Sequence, residues 1–198
     1  MSDVVIVDSG GANLASLQFA LERLGAVAQV SSDAAQIAAA PRVILPGVGC
    51  AQDAMRRLRA AGLAERLPRL TQPVLGICLG MQLLHRRSAE GPTECLGVLP
   101  GTIERLCAQP DRPVPHMGWN QLALGAADPL LEGIAPGEYM YFVHSYAASS
   151  TEATVATTRY GVELAAVIRR RNFWGTQFHP ERSGRAGARL LANFLAVA

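Results

Sequence analysis

Lysine is absent from the sequence, and all 18 basic residues among its 198 are arginines. Schiff-base chemistry on a lysine is therefore excluded, as is a P-loop, whose lysine must reach the bound phosphates. Charge of either sign is scarce, at 17% of residues and a net of +2, so no broad field points to nucleic acid or to an anionic membrane. No apolar run approaches the roughly 18 residues that span a bilayer. The opening MSDVVIVDSG sets Asp3 and Asp8 around a short apolar run and lacks the basic head of a secretory signal, which leads us to expect a soluble, cytoplasmic protein. The four cysteines, Cys50, Cys78, Cys95 and Cys107, form no CxxC pair, so neither a zinc site nor a disulfide framework is indicated. In a reducing compartment a free thiol is available as a nucleophile.

What is present is a chain that is 49% hydrophobic, long enough for one core and read as a single domain over residues 1–198, burying about 70% of its unfolded surface. The first half alternates β-rich runs with helical periodicity, the pattern of βαβ units and a parallel sheet. Strands are expected at Val4 to Val7, Val27 to Val30, Arg42 to Leu45 and Pro73 to Ile77. Helices are expected from Asn13 to Leu24, ended by Gly25, after Asp33, and from Gln52 to Leu67. From Leu96 onward, runs at Gly101 to Cys107, Gln121 to Leu124, Tyr139 to Val143, Val155 to Thr158, Leu164 to Arg169 and Phe173 to Gln177 read as mostly antiparallel or mixed strands. A last helix is expected from Gly184 to Ala196.

The strongest chemical signal is Gly76-Ile77-Cys78-Leu79-Gly80, placed where an apolar strand gives way to the helical run Met81 to Leu84. This is a nucleophile elbow with Cys in place of Ser. The sharp turn strains the nucleophile's backbone and crowds its neighbours, which calls for glycine two residues before and two after. Cys78 then sits at a helix N-terminus, whose dipole favours a thiolate, and the free N–H of Leu79 can donate to an oxyanion. Alone, GxCxG also suits a buried structural cysteine, so a base must decide. Of His85, His116, His144 and His179, only His179 carries its own orienting partner, in Gln177-Phe178-His179-Pro180-Glu181. Pro180 biases His179 toward extended backbone, where residues two apart share a face. Glu181 can then bond one ring nitrogen while the other faces Cys78, in the manner of a triad.

GICLG together with FHPE resembles the class I glutamine amidotransferases, whose triad is Cys-His-Glu. The segments LPGVG (Leu45 to Gly49), GICLGMQLL (Gly76 to Leu84), PHMGWN (Pro115 to Asn120), YFVHSY (Tyr141 to Tyr146) and QFHPERSG (Gln177 to Gly184) narrow the resemblance to the glutaminase subunits of imidazole glycerol phosphate synthases. It covers essentially the whole chain. It implies Cys78 as nucleophile, His179 as general base and acid, Glu181 as its orienter, and an oxyanion hole from Leu79, Val48 and Gly49. In that family a peptide of the strand matching Pro46 to Gly49 is thought to reorient when the partner enzyme is engaged, and glycines at 47 and 49 make such a flip sterically cheap. Gly47, Gln82, Glu90, Ser145 and Tyr146 fall at substrate-glutamine contacts, with Glu90 facing the ammonium group. Asn13, Trp119, Tyr141 and Arg182 match a partner interface.

The implied fold is α/β, a mixed, largely parallel sheet flanked by helices, with the site at the C-terminal edge of its strands. The implied reaction is glutamine hydrolysis through a cysteinyl thioester, without metal or organic cofactor. The ammonia passes to a (β/α)₈ cyclase subunit, in a heterodimer serving histidine biosynthesis. Ser9, Ala12 and Arg182 depart from the family's commoner Tyr, Gly and Lys, and Arg is no neutral swap for Lys. A self-sufficient hydrolase on the same elbow and a non-enzymatic regulatory relative remain the rival readings, the second disfavoured by the intact Cys, His and Glu.

Overall fold

The computed structural model of the chain describes residues 2–9 and 14–197; Asn13 and Ala12 lie outside them. The first half is built of βα units. Strand β1 (Val4–Val7) leads to helix α1 (Leu14–Glu22), then β2 (Ala28–Ser31), α2 (Ala34–Ala39), β3 (Val43–Leu45), α3 (Ala51–Ala60), β4 (Val74–Ile77) and the short α4 (Leu79–Leu83). Helix α1 ends in a Schellman motif, with Gly25 at φ +80° donating to Glu22 O and Ala26 N donating to Leu21 O. Asp33 caps α2 through two backbone N–H groups. Helix α3 stops seven residues short of the expected Leu67. Gly62, at φ +66°, donates to Arg59 O while Leu63 N reaches Leu58 O, which ends the helix, although the buried Leu63 and Leu67 prolong its apolar periodicity.

The second half comprises β5 (His85–Ser88), β6 (Thr93–Glu94), β7 (Leu99–Arg105), β8 (His116–Gln121), β9 (Ala123–Leu124), β10 (Tyr139–His144), β11 (Tyr146–Ala147), β12 (Thr154–Tyr160), β13 (Val162–Arg170), β14 (Phe173–Thr176) and helix α5 (Gly184–Ala196). The run expected as one strand at Gln121 to Leu124 is split. Strand β8 pairs with β10 in a small antiparallel sheet, and after the buried Leu122 the chain joins the main sheet as β9. Strands β11, β7, β5 and β6 form a third sheet.

The main sheet has eight strands in the order β2-β1-β3-β4-β14-β13-β12-β9. The first five are parallel and the last three antiparallel. The strands of the parallel core are buried on both faces, as helices on either side require. Val4, Ile6, Ile44, Leu75 and Ile77 pack on one side with α1 and α5. Val5, Val7, Val43, Leu45 and Val74 pack on the other with α2 and α3. That alternation is the two-residue period of a strand. Strand β14 is the element that matters for function, because it returns from the antiparallel half to lie parallel to β4, with Thr176 paired to Ile77. The residues that follow each strand, Cys78 and Gln177, therefore emerge side by side at the C-terminal edge of the sheet.

Candidate active site

Cys78 adopts φ +53° and ψ −111°, a left-handed backbone that a non-glycine residue holds only where its surroundings force it. The two flanking glycines show what forces it. A Cβ on Gly76 would come within 2.7 Å of Met81 N, and one on Gly80 would run into the Leu45 carbonyl. The main chain of Cys78 is fixed by its own N–H, which donates to Thr176 O at 2.7 Å. Helix α4 is only five residues long, so the expected dipole is small; the nearby unpaired N–H groups supply whatever positive field reaches the sulfur.

His179 and Glu181 are both about nine-tenths buried, and Nδ1 lies 2.9 Å from Glu181 Oε1. His179 is extended, as Pro180 requires, at φ −98° and ψ 98°. Glu181, however, belongs to a 3₁₀ turn spanning Pro180–Arg182, so the tight turn brings the carboxylate back to the ring, not the two-residue period of a strand. Ser183 locks this turn, its hydroxyl donating to His179 O at 2.7 Å and accepting from Tyr141 N at 3.0 Å. Burial would lower the His179 pKa, but the Cys78 sulfur and the Glu181 carboxylate outweigh it and push it up to about 10. Nε2 is buried with no hydrogen-bond partner among the described residues, although the Cys78 sulfur is near enough to help raise the ring's pKa.

A cavity of about 360 Å³ opens between these groups, and its lining includes Val48, Gly49, Cys78, Leu79 and His179. Gln82, Glu90, Ser145 and Tyr146 line it as well. Gly47 lies behind it, beside a second cavity of about 110 Å³ that reaches Glu181 and Arg182, with Val48 and His179 shared between the two. A Cβ on Gly47 would approach Leu79 Cβ to 2.9 Å, and Gly49 sits at φ +90°, so both glycines are needed for this segment to run so close to the elbow. Ser9, buried, anchors the segment by donating to Pro46 O at 3.2 Å.

Two of the residues expected to contact substrate are partly committed elsewhere. Glu90 accepts from Ala51 N at 2.8 Å, capping α3 with one oxygen and leaving the other for the cavity. Gln82 donates to Tyr146 O at 2.8 Å and to Gln177 Oε1 at 3.0 Å, which leaves its own Oε1 toward a ligand. Of the residues expected at a partner interface, Trp119 is 55% exposed and not a core aromatic. It meets Tyr141 edge to face, and the Arg182 guanidinium lies 4.8 Å above the Tyr141 ring. Sequence reasoning missed Gln177, fully buried with Nε2 3.8 Å from Cys78 Sγ, and Val143, whose carbonyl oxygen is 3.8 Å from the same sulfur. Gln177 follows the end of β14 and stands two residues before His179, which hinted at its neighbourhood but not at what its amide touches.

His144 lines the cavity, and His116 stands behind it. His144 Nδ1 is 2.9 Å from Tyr146 O, His116 Nδ1 is 2.9 Å from His144 Nε2, and Asn120 Nδ2 is 3.2 Å from His116 Nε2. Tyr146 O can only accept, and Asn120, whose oxygen takes Gln121 N, presents its NH₂ to His116, so the two ends together set the direction of the bonds and make both rings neutral. Burial pushes both pKa values down to about 4, helped at His144 by the neighbouring His116.

The class I glutamine amidotransferase family matches residues 5–198. A protein of Xanthomonas axonopodis pv. citri, the imidazole glycerol phosphate synthase subunit HisH, is 52% identical over 195 residues, covering 98% of each chain. The protein of the same name from Idiomarina loihiensis is 52% identical over 193 residues, covering 98% of this chain and 97% of the relative. Among solved structures, a glutamine amidotransferase superposes with a TM-score of 0.75 at 21% identity, covering 98% and 97% of the two chains. PurLQS from Thermotoga maritima does so at 0.67 and 20%, covering 99% of each; these two similarities concern the fold.

Proposed function

The chain belongs to the class I glutamine amidotransferase family, and from that membership and the cavity we propose the roles of its residues. It is the glutamine amidotransferase subunit of an imidazole glycerol phosphate synthase, an enzyme of histidine biosynthesis, as identity at half of all positions over nearly the full length of several such subunits supports. The observation that carries the site assignment is the convergence of a strained Cys78 and a buried His179–Glu181 pair on one cavity.

Glutamine enters with its ammonium group toward the free oxygen of Glu90 and its side-chain amide over Cys78. The thiolate attacks the amide carbon, and the developing oxyanion takes the N–H of Leu79 and a second donor from Val48 or Gly49. His179, protonated at neutral pH, gives its proton to the departing nitrogen, so ammonia leaves and a glutamyl thioester remains. The now neutral ring takes a proton from water, the hydroxide equivalent cleaves the thioester, and glutamate departs as the thiolate is restored. Glu181, accepting from Nδ1–H, holds the neutral ring in the tautomer whose bare Nε2 takes up and returns this proton.

The chain is one subunit of a two-component enzyme, and its partner in this reading is a (β/α)₈ cyclase that consumes the ammonia in the same compartment, the cytoplasm. Trp119, Tyr141 and Arg182 supply a half-exposed aromatic and cationic cluster of the kind that anchors interfaces. The flexibility of Pro46 to Gly49 lets docking complete the oxyanion hole, so that the unpartnered chain turns over slowly. The decisive experiment is Cys78→Ala assayed with the cyclase subunit: glutamine-dependent synthesis should vanish while synthesis from added ammonia persists. Glutamine hydrolysis surviving in that variant would remove the assignment.

A further inference from the structure

Gln177 has no role in the chemistry above, yet it is fully buried and directly beside the nucleophile. Its backbone is pinned there, since Gln177 N donates to Ala166 O at 2.9 Å and the preceding Thr176 O accepts from Cys78 N at 2.7 Å. The orientation of its amide follows from its neighbours. Tyr146 O can only accept, so the Gln82 group 2.8 Å from it is the NH₂. That NH₂ is also 3.0 Å from the Gln177 side chain, which must answer with its oxygen. The end of Gln177 left facing Cys78 Sγ at 3.8 Å is therefore its own NH₂. The other polar neighbour of the sulfur, Val143 O, also 3.8 Å away, can accept only from a protonated thiol. The two neighbours thus favour opposite protonation states.

We propose that Gln177 is a positioning residue that donates an N–H to the Cys78 thiolate, and that Gln82 is the strut that keeps the Gln177 amide from flipping. This rests on Cys78 being the nucleophile. The interaction holds the sulfur's charge without adding a second cation to the site, which would compete with His179. Among the described residues, the other ionisable groups lining the cavity with Cys78 are His179, the neutral His144, Tyr146 and Glu90, and none of them is altered by changing Gln177.

The test is the rate of Cys78 alkylation by iodoacetamide as a function of pH in the full chain, read at the Cys78 peptide by mass spectrometry so that Cys50, Cys95 and Cys107 do not contribute. Gln177→Leu should move the midpoint upward by about one pH unit, making alkylation about fivefold slower at the parent's midpoint and about tenfold slower well below it, as expected for losing one hydrogen bond to a charged group, with the limiting rate at high pH retained. Gln177→Glu keeps the acceptor for Gln82 but puts oxygen against the sulfur, so it should move the midpoint further; it also serves should the Leu variant fail to fold, as judged by its melting curve. Gln82→Leu should give part of the shift in the parent and none in a Gln177→Leu background. A folded Gln177 variant with the parent's profile, or a Gln82 shift that simply adds to that of Gln177→Leu, would overturn the proposal. Failure of the underlying reading would look different: glutamine hydrolysis would persist in Cys78→Ala whatever the alkylation profiles did.

Discussion

Acidification from pH 7 to pH 4 should destabilise this protein through two buried histidines that take no part in the proposed reaction. His116 and His144 are 3% and 5% exposed, and every ring nitrogen in the pair is already donating or accepting. His116 is also stacked between Phe142 and Tyr160, with ring centroids 4.9 and 4.0 Å away. An added proton on His144 Nε2 removes the acceptor of the His116 N–H, and one on His116 Nε2 displaces the Asn120 amide. Burial, with the neighbouring His116 adding to it at His144, lowers both folded-state pKa values from 6.5 to about 4. Because the folded values are depressed, the stabilisation is complete above pH 6.5 and is lost as the unfolded state takes up protons between 6.5 and 4. One ring contributes about 3 kcal/mol over that window, and the pair contributes less than twice that because the two titrations are coupled. His85, whose pKa burial also lowers, acts in the same direction. His179 does not interfere: its raised pKa gives a contribution that is full below pH 6.5 and fades toward pH 10. Urea midpoints measured at half-unit intervals from pH 7 to 4.5, with imidazole NMR resonances as the site-resolved readout, test this. A flat urea midpoint between pH 6.5 and 5, or a His116 or His144 resonance titrating near 6.5, would refute the tautomer chain.

Glu181→Gln should keep the fold and lower the glutamine kcat of the assembled enzyme by about 10- to 30-fold, the difference between a charge-assisted and a neutral hydrogen bond, whereas His179→Ala should be nearly inactive; an unchanged kcat for Glu181→Gln ends the orienting role. Gly80→Ala should cost about 3 kcal/mol or more by driving a methyl into the Leu45 carbonyl, checked by thermal melting; a stable variant would mean the elbow yields more than its geometry suggests. Trp119→Ala should weaken partner association by about 2 kcal/mol and leave the melting temperature near the parent's, because the ring is half exposed; titration calorimetry against the cyclase decides. The chain alone should hydrolyse glutamine at least about a hundredfold more slowly than the complex, and equal rates in a coupled glutamate assay would favour a self-sufficient hydrolase.

The parts of the site legible in the sequence are those in which backbone geometry restricts residue type. Gly76 and Gly80 have no room for a side chain, so the elbow could be located without coordinates, and Pro180 made the extended His179 readable in the same way. The Glu181 contact was anticipated through the wrong geometry, because a 3₁₀ turn and an extended pair both bring residues two apart within reach of each other. The length of α3 was overestimated because Leu63 and Leu67 continue the helical period after Gly62 has ended the helix. Strand β5 went unread because Arg86 and Arg87 face solvent and leave no apolar alternation. Gln177 escaped assignment for another reason: what its amide touches depends on β14 lying in register with β4, a pairing across about a hundred residues that no local pattern records.

The position of β14 also bears on when, during synthesis, this enzyme can first act. It is the fifth of eight strands, inserted between β4 and β13, and it leaves the ribosome after the other seven strands of that sheet. Until it docks, β4 presents an open parallel edge and Cys78 stands without Gln177, His179 or Glu181. Such a late, non-local pairing is slow to form, and the exposed edge is a site for mispairing with other chains. The same arrangement keeps the nascent chain chemically silent, since His179, the group that would protonate ammonia, is synthesised about a hundred residues after Cys78. Incomplete chains released early would thus carry the nucleophile but hydrolyse no glutamine.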